Sequence, residues 1–312
     1  MIFSPGECIP FGFKKPSGGN TPGVGRFTPA AVLRSAAGRV LGENMPSSIR
    51  SRDNDKVKWA ARLVAQSRFR RESGLFVLEG LRLCLDAVRT GRQPEAVFYT
   101  PERRNALGEL LCVRDCYEVT GEVFAKISDT KSPQGVLCVL RQTPPAPFSP
   151  AIGDSYALLD RVQDPSNLGA IARTAEALGV GGLLVSGDGC DAYSPKAQRA
   201  GMGSLLRLPV WVFPSLIEPI GAMRSAGVPV FAAVPDAAAR QVSDCDFSAG
   251  AGVVIGNEAN GLRDEIIACC DARVTIPMAG RAESLNAAAA AAIFLWEITR
   301  QQTHTADREV IG

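Results

Sequence analysis

The sequence predicts an α/β protein of two domains, the second built on a mainly parallel sheet. Three observations carry this. The chain has 312 residues, about two domains at roughly 150 residues each. Helix-period and strand-period apolar patterns alternate from about Asp53 onward, which is the signature of strands and helices packed in layers. Between the two halves, Gln142–Pro150 holds four prolines in nine residues. Such a stretch can neither join a sheet ladder nor continue a helix, so a stiff, extended linker is expected there.

Taken in order, residues 1–44 have no periodic face to bury and are rich in Gly and Pro; a disordered, dispensable extension is expected. Met45 offers a second start of translation directly before the ordered pattern. Residues 45–141 read as a small α/β domain. Val57, Ala60, Ala61, Val64 and Ala65 recur at helical spacing, with Arg62, Arg68, Arg70 and Arg71 outside or just beyond that stripe. Leu75–Leu78 is a short buried strand closing at Glu79-Gly80, and a helix through Leu81, Leu85 and Val88 ends at Gly91. Further strands are expected at Ala96–Tyr99, Tyr117–Thr120 and Val136–Leu140.

Residues 151–302 form the second domain, with strands expected at Tyr156–Leu159, Gly182–Val185, Val210–Phe213, Val228–Ala232, Gly252–Ile255 and Arg273–Ile276. Unbroken apolar runs such as Val253-Val254-Ile255 point to strands covered on both faces, hence a parallel sheet. A last helix runs from Leu285 to about Arg300 through six consecutive alanines, Ala287 to Ala292. A polar tail, 303–312, follows.

Composition removes several function classes. The single histidine is His304, so a Ser-His-Asp triad or a histidine-based metal site has almost nothing to be built from. Nine cysteines form no CxxC pair and read as small buried hydrophobes in a reducing cytosol; no metal and a cytoplasmic location are expected. No apolar run approaches the about 18 residues of a membrane span. The net charge of +2 hides an asymmetry: residues 1–150 carry 22 Lys and Arg against 14 Asp and Glu, and residues 151–312 carry 12 against 18. A basic first half suits a polyanion such as nucleic acid.

Three segments place polar residues where a strand gives way to a helix, the end of an open α/β sheet at which ligands bind. In Leu159–Glu176, Asn167 stands at an N-cap-like position and Arg173 lies off the buried stripe. In Val253–Leu262, a buried strand opens into a Gly256–Gly261 turn holding Asn257, Glu258 and Asn260. In Thr275–Asn286, Ser284 is placed to cap the alanine helix. Each has a purely structural alternative: a cap, a solvated arginine, an ordinary polar turn. None is a P-loop, and no GxGxxG occurs, which argues against a nucleotide-dependent oxidoreductase.

In this order the three segments resemble the signature motifs of the SpoU (TrmH-like) branch of the SPOUT superfamily, S-adenosylmethionine-dependent RNA 2′-O-ribose methyltransferases. Ser51–Lys58, Gly74–Gly80 and Ser132–Gly135 are similar to that family's substrate-binding domain, so the resemblance covers about five-sixths of the chain. It implies a trefoil-knotted catalytic domain and a homodimer with each active site near the interface. It places Asn167, Arg173, Glu258, Ser284 and Asn286 at catalytic positions and Gly256, Ile276 and Leu285 at cofactor-holding ones. Gly201, where serine is common, and the alanines after Asn286 depart from the family pattern.

The chemistry is compatible with these residues. Methylating a ribose hydroxyl needs proton removal, in-line placement against a sulfonium methyl and stabilisation of charge growing on oxygen, with no metal. Arginine is normally charged, which suits Arg173 to electrostatic positioning of RNA. The expected substrate is ribosomal RNA, with transfer RNA and a non-catalytic RNA-binding role as the alternatives. The Arg68, Arg70, Arg71 cluster is expected to contact RNA phosphates.

Overall fold

The computed structural model describes residues 47–309, except the side chains of 303–309; the expectations for residues 1–44 lie outside the described residues. Five strands make the first sheet: β1 (Ser47–Ile49), β2 (Leu75–Glu79), β3 (Ala96–Tyr99), β4 (Cys116–Val119) and β5 (Val136–Arg141), in the order β1-β4-β3-β5-β2. β1, β4 and β3 run parallel, and β5 is antiparallel to both β3 and β2. Period-two alternation sends neighbouring residues to opposite faces. Val77, Phe98, Leu137 and Val139 enter one core, and Phe76, Val97, Tyr99 and Cys138 enter another.

Helix α1 (Asp55–Ala65) begins at Asn54, whose side chain accepts from the Lys56 amide at 2.9 Å, and it brings Val57, Ala60 and Leu63 to the first of these cores. Helix α2 (Ser67–Ser73) follows directly and ends at Gly74, in the left-handed region at φ +64°. Helices α3 (Leu81–Arg89) and α4 (Gly121–Lys126) complete this part.

The second sheet contains β6 (Tyr156–Leu159), β7 (Gly182–Ser186), β8 (Val210–Phe213), β9 (Val230–Ala233), β10 (Arg240–Gln241), β11 (Gly252–Ile255) and β12 (Ala272–Thr275). Their order is β10-β12-β9-β11-β6-β7-β8, and every pairing is parallel. From β6 the chain winds out through β7 and β8, then crosses back to β9 and fills the other side. The switch point therefore lies between β6 and β11, which is where an open α/β sheet leaves a crevice at its carboxyl end.

Around this sheet lie α5 (Pro165–Ala177), α6 (Pro195–Gly201), α7 (Ser204–Arg207), α8 (Ile217–Ser225), α9 (Asp264–Cys269) and α10 (Ala287–Glu309). Close approach of α5 to α6 depends on Gly169. A Cβ there would sit 2.5 Å from the Ala197 carbonyl oxygen and 2.8 Å from the Gly201 amide.

Four expectations shift. β1 and β10 are new, because three and two residues are too short for a periodic signal. Helix α10 continues to Glu309 instead of giving way to a tail near Arg300. The 142–150 stretch has neither helix nor strand, yet it is fastened down. Trp211 Nε1 donates to the Ala146 carbonyl at 2.8 Å, and the Phe148 ring packs edge-on against Tyr156, Trp211 and Phe213.

The fourth shift concerns Arg70, expected on the RNA-facing surface. It is 4% exposed. Its guanidinium donates to the carbonyls of Leu63 and Val64 and pairs with Asp191 at 2.8 Å. Every face of it is committed within the fold, so it is corrected to an anchor between α1, α2 and the second sheet's loops. Arg68 remains exposed and pairs with Glu72 one turn on, while Arg71 is exposed. No described helix is long and apolar enough to cross a membrane.

Candidate active site

The site begins where β6 ends. Asp164 caps α5 by accepting from the Ser166 amide, and Pro165 occupies the first helical turn, where its missing N–H costs nothing. Lys196 at 2.8 Å and the Ser166 amide hold the Asp164 carboxyl below the usual carboxylate range. Asn167 is therefore not the cap. It lies inside the first turn, 8% exposed, and points across to the other two segments.

Its amide nitrogen donates to Glu258 Oε1 at 2.8 Å, and its oxygen accepts from Asn286 Nδ2 at 3.0 Å. Asn286 in turn accepts from the amides of Ala288 and Ala289, so Asn286, not Ser284, caps α10. One hydrogen-bonded chain thus ties all three segments together at the switch point.

Glu258 also accepts from the Gln163 amide at 3.0 Å and the Asp164 amide at 3.1 Å. Partial burial pushes its carboxyl up, but the bonds from Asn167 and from the backbone amides outweigh this and hold it below the usual range. A carboxylate so occupied is an organiser of its neighbours and a poor proton acceptor.

The turn carrying Glu258 is closed by two backbone bonds between Asn257 and Gly261, with Gly261 at φ +65°. Gly256 allows the turn to fold over itself, since a Cβ there would lie 2.5 Å from the Gly261 carbonyl carbon. Both ends of the turn are pinned to the end of β6. Asn257 Nδ2 donates to the Arg161 carbonyl at 2.9 Å, and Arg263 forks onto the fully buried carboxylate of Asp160. Arg161 itself is held at φ +53° with its amide donating to Ser186. Sequence reasoning missed Asp160, Gln163 and Arg263, and it named Asn257 only as part of a polar turn. A charged residue closing an apolar strand was a signal for Asp160; its partner is decided only by the fold.

Beside this network opens a cavity of about 510 Å³, within the range of small-molecule sites. Gly256, Glu258, Ile276, Ser284 and Leu285 all line it, with Phe294 of α10 as one wall. Leu285 and Met278 stay 39% and 36% exposed around it, apolar surface that a bound molecule would cover. The walls combine Leu262, Ile267 and Ile276 with Asp236, Asn260 and turn backbone, a donor set that fits a ligand with an apolar ring and a polar, charged arm. Arg173 stands apart. It is exposed on α5 and has no hydrogen bond or ion pair among the described residues.

Among the described residues no three metal-binding side chains come together. Cys190, near Glu258, has its thiol pushed up to about 12, first by burial and then by that carboxylate, so it stays protonated.

Comparison with known proteins agrees with this architecture. A family model described as the SpoU rRNA Methylase family matches residues 154–296, and one described as an MRM3-like substrate binding domain matches residues 54–138. The chain is 33% identical to the 23S rRNA (uridine(2479)-2′-O)-methyltransferase of Streptomyces viridochromogenes, over 85% of this chain and 96% of that one. It is 29% identical to the 23S rRNA (guanosine(2553)-2′-O)-methyltransferase RlmP of Bacillus subtilis, over 80% and 98%. Among solved structures it resembles an AdoMet-bound rRNA methyltransferase from Sinorhizobium meliloti with a TM-score of 0.73 and 33% identity, over 81% of this chain and 97% of that one.

Proposed function

The chain belongs to the SpoU rRNA methylase family, and on that premise we propose that it is an S-adenosylmethionine-dependent 2′-O-ribose methyltransferase of ribosomal RNA, working in the cytoplasm as a homodimer. The observation that carries this reading is the Asn286–Asn167–Glu258 chain at the lip of the cavity. It gathers three separate segments around one small-molecule space.

Bound S-adenosylmethionine supplies an electrophilic methyl group on a sulfonium. Gly256, Ile276 and Leu285 would hold it, the first through turn backbone that approaches closely. Glu258, kept ionised, fixes the start of α5 and orients the Asn167 amide. Asn286 locks the other side of that amide and the start of α10 together. Ribose attack requires a hydroxyl held in line and its growing charge offset. Arg173 is an exposed cation suited to this, because a planar guanidinium matches a phosphate in a two-pronged grip. Support for a second copy comes from α10, where Trp296 is 58% and Ile293 39% exposed three residues apart, an apolar face unusual for water alone.

Calorimetry with S-adenosylmethionine, followed by mapping of ribose methylation on 23S rRNA incubated with the chain, tests the proposal. Cofactor binding together with a new 2′-O-methyl mark is expected. Binding without any mark on ribosomal RNA would remove the substrate assignment, and no binding would remove the activity.

A further inference from the structure

Two motifs in the first part of the chain have no part in the site described above: Glu79-Gly80 and Ser132–Gly135. The structure brings them together. Glu79 ends β2 as a buried carboxylate, 4% exposed. It accepts from the hydroxyls of Ser128 and Thr130 and from the Gln134 amide, at 2.8 to 3.2 Å. One carboxylate thus holds both ends of the 128–135 loop, whose residues 131–134 face solvent. Gly135 closes the loop at φ +77°, where a side chain would strike Thr100 and Arg103.

The loop is also moored to the second sheet. Arg199 of α6 forks onto Asp129. Three residues earlier on α6, and so on the same side of the helix, Lys196 binds Asp164. The Asp164 amide donates to Glu258. A run of paired charges therefore leads from the loop to the candidate active site. Asp129 is neutralised by this pairing. Lys131 at the loop tip and Arg103 at its base have no salt bridge among the described residues; Arg103 acts only on the carboxyl of its chain neighbour Glu102, so both cations remain open to a ligand.

We propose that the 128–135 loop, preorganised by Glu79, is a docking surface for the backbone of the substrate RNA beside the methyl-transfer site, with Lys131 and Arg103 as its phosphate contacts. This rests on the methyltransferase reading. A rigid loop bearing two cations suits phosphate recognition, because little ordering entropy is lost on binding. Glu79 acts through the loop and is a positioning residue.

Binding of the full chain to protein-free 23S rRNA, titrated at two salt concentrations, tests it. The Lys131→Glu, Arg103→Glu variant is expected to bind about tenfold more weakly, with a log–log salt slope shallower by about two. S-adenosylmethionine affinity should not change. Glu79→Gln should raise KM for RNA while sparing kcat, and Glu79→Asp should recover part of the loss. Unchanged affinity and slope in the double variant would overturn the docking surface, and an unchanged KM in Glu79→Gln would overturn the positioning role. Failure of the wild-type chain to transfer methyl groups overturns the methyltransferase reading instead, so the two failures are distinct.

Discussion

Replacing Asn167 by alanine removes the middle link of the chain that joins the three segments. Two bonds are lost: one donated to the ionised Glu258 and one accepted from Asn286. A hydrogen bond to a charged group contributes about 1.5–3 kcal/mol and a neutral one about 0.5–1.5 kcal/mol. The lower ends apply, since Glu258 as a whole is exposed even though its carboxyl is partly desolvated, and it keeps the Gln163 and Asp164 amides. The expected loss is therefore about 2 kcal/mol near pH 7. It should depend on pH with a definite sign. The carboxyl of Glu258 titrates lower in the folded chain than in the unfolded one. Its contribution is thus present above the unfolded pKa and disappears as pH falls through the folded pKa. Below that point the carboxyl is protonated in both proteins, and the charged part of the difference disappears. Urea unfolding of wild type and Asn167→Ala at about pH 7 and at the lowest pH at which the wild type stays folded should show the gap shrinking as Glu258 protonates, towards roughly half, since a protonated carboxyl still accepts a neutral bond of about 0.5 kcal/mol. A gap of the same size at both values, or none near neutrality, would refute the network's role.

Three further outcomes are expected. Arg173→Ala should lower methyl transfer about 10²-fold, the scale of losing one charge-stabilising group, with an unchanged unfolding midpoint because the side chain is exposed; thermal unfolding and single-turnover rates check it together. Arg70→Ala should cost about 3–5 kcal/mol, since it strands the nearly buried Asp191 carboxylate and two carbonyls, while Arg68→Ala, at an exposed helix pair, should cost about 0.5 kcal/mol or less; denaturant midpoints separate them. Gly256→Ala should weaken S-adenosylmethionine binding in calorimetry, because its added methyl meets turn backbone that must shift.

Much of the architecture was legible in the chain. β3, β6 and β11 lie where their apolar runs place them, because a strand buried on both faces has to be apolar along its whole length. The polar segments after β6 and β11 stood out for the complementary reason: Asn167 and Glu258 follow apolar strands at a chain position where solubility alone does not call for them. The cap assignments were less legible. Asp164 and Asn286 took the roles read for Asn167 and Ser284, since several cap-competent residues follow one another and only the backbone path selects among them.

What the sequence determined by itself is the set of local preferences: alternation of elements, the linker prolines, the basic first half and the three polar segments. What only the tertiary structure decided is which distant groups meet. Glu258 finds Asn167 across 91 residues, Arg263 finds Asp160 across 103, and Arg70 turns inward to Asp191 across 121. Arg68 and Arg70 belong to one helix and are the same residue type, yet one is solvated and the other is an anchor. Periodicity reports that a side chain leaves the apolar stripe. Whether it meets water or another segment depends on the path of a chain more than a hundred residues away, which no local pattern encodes.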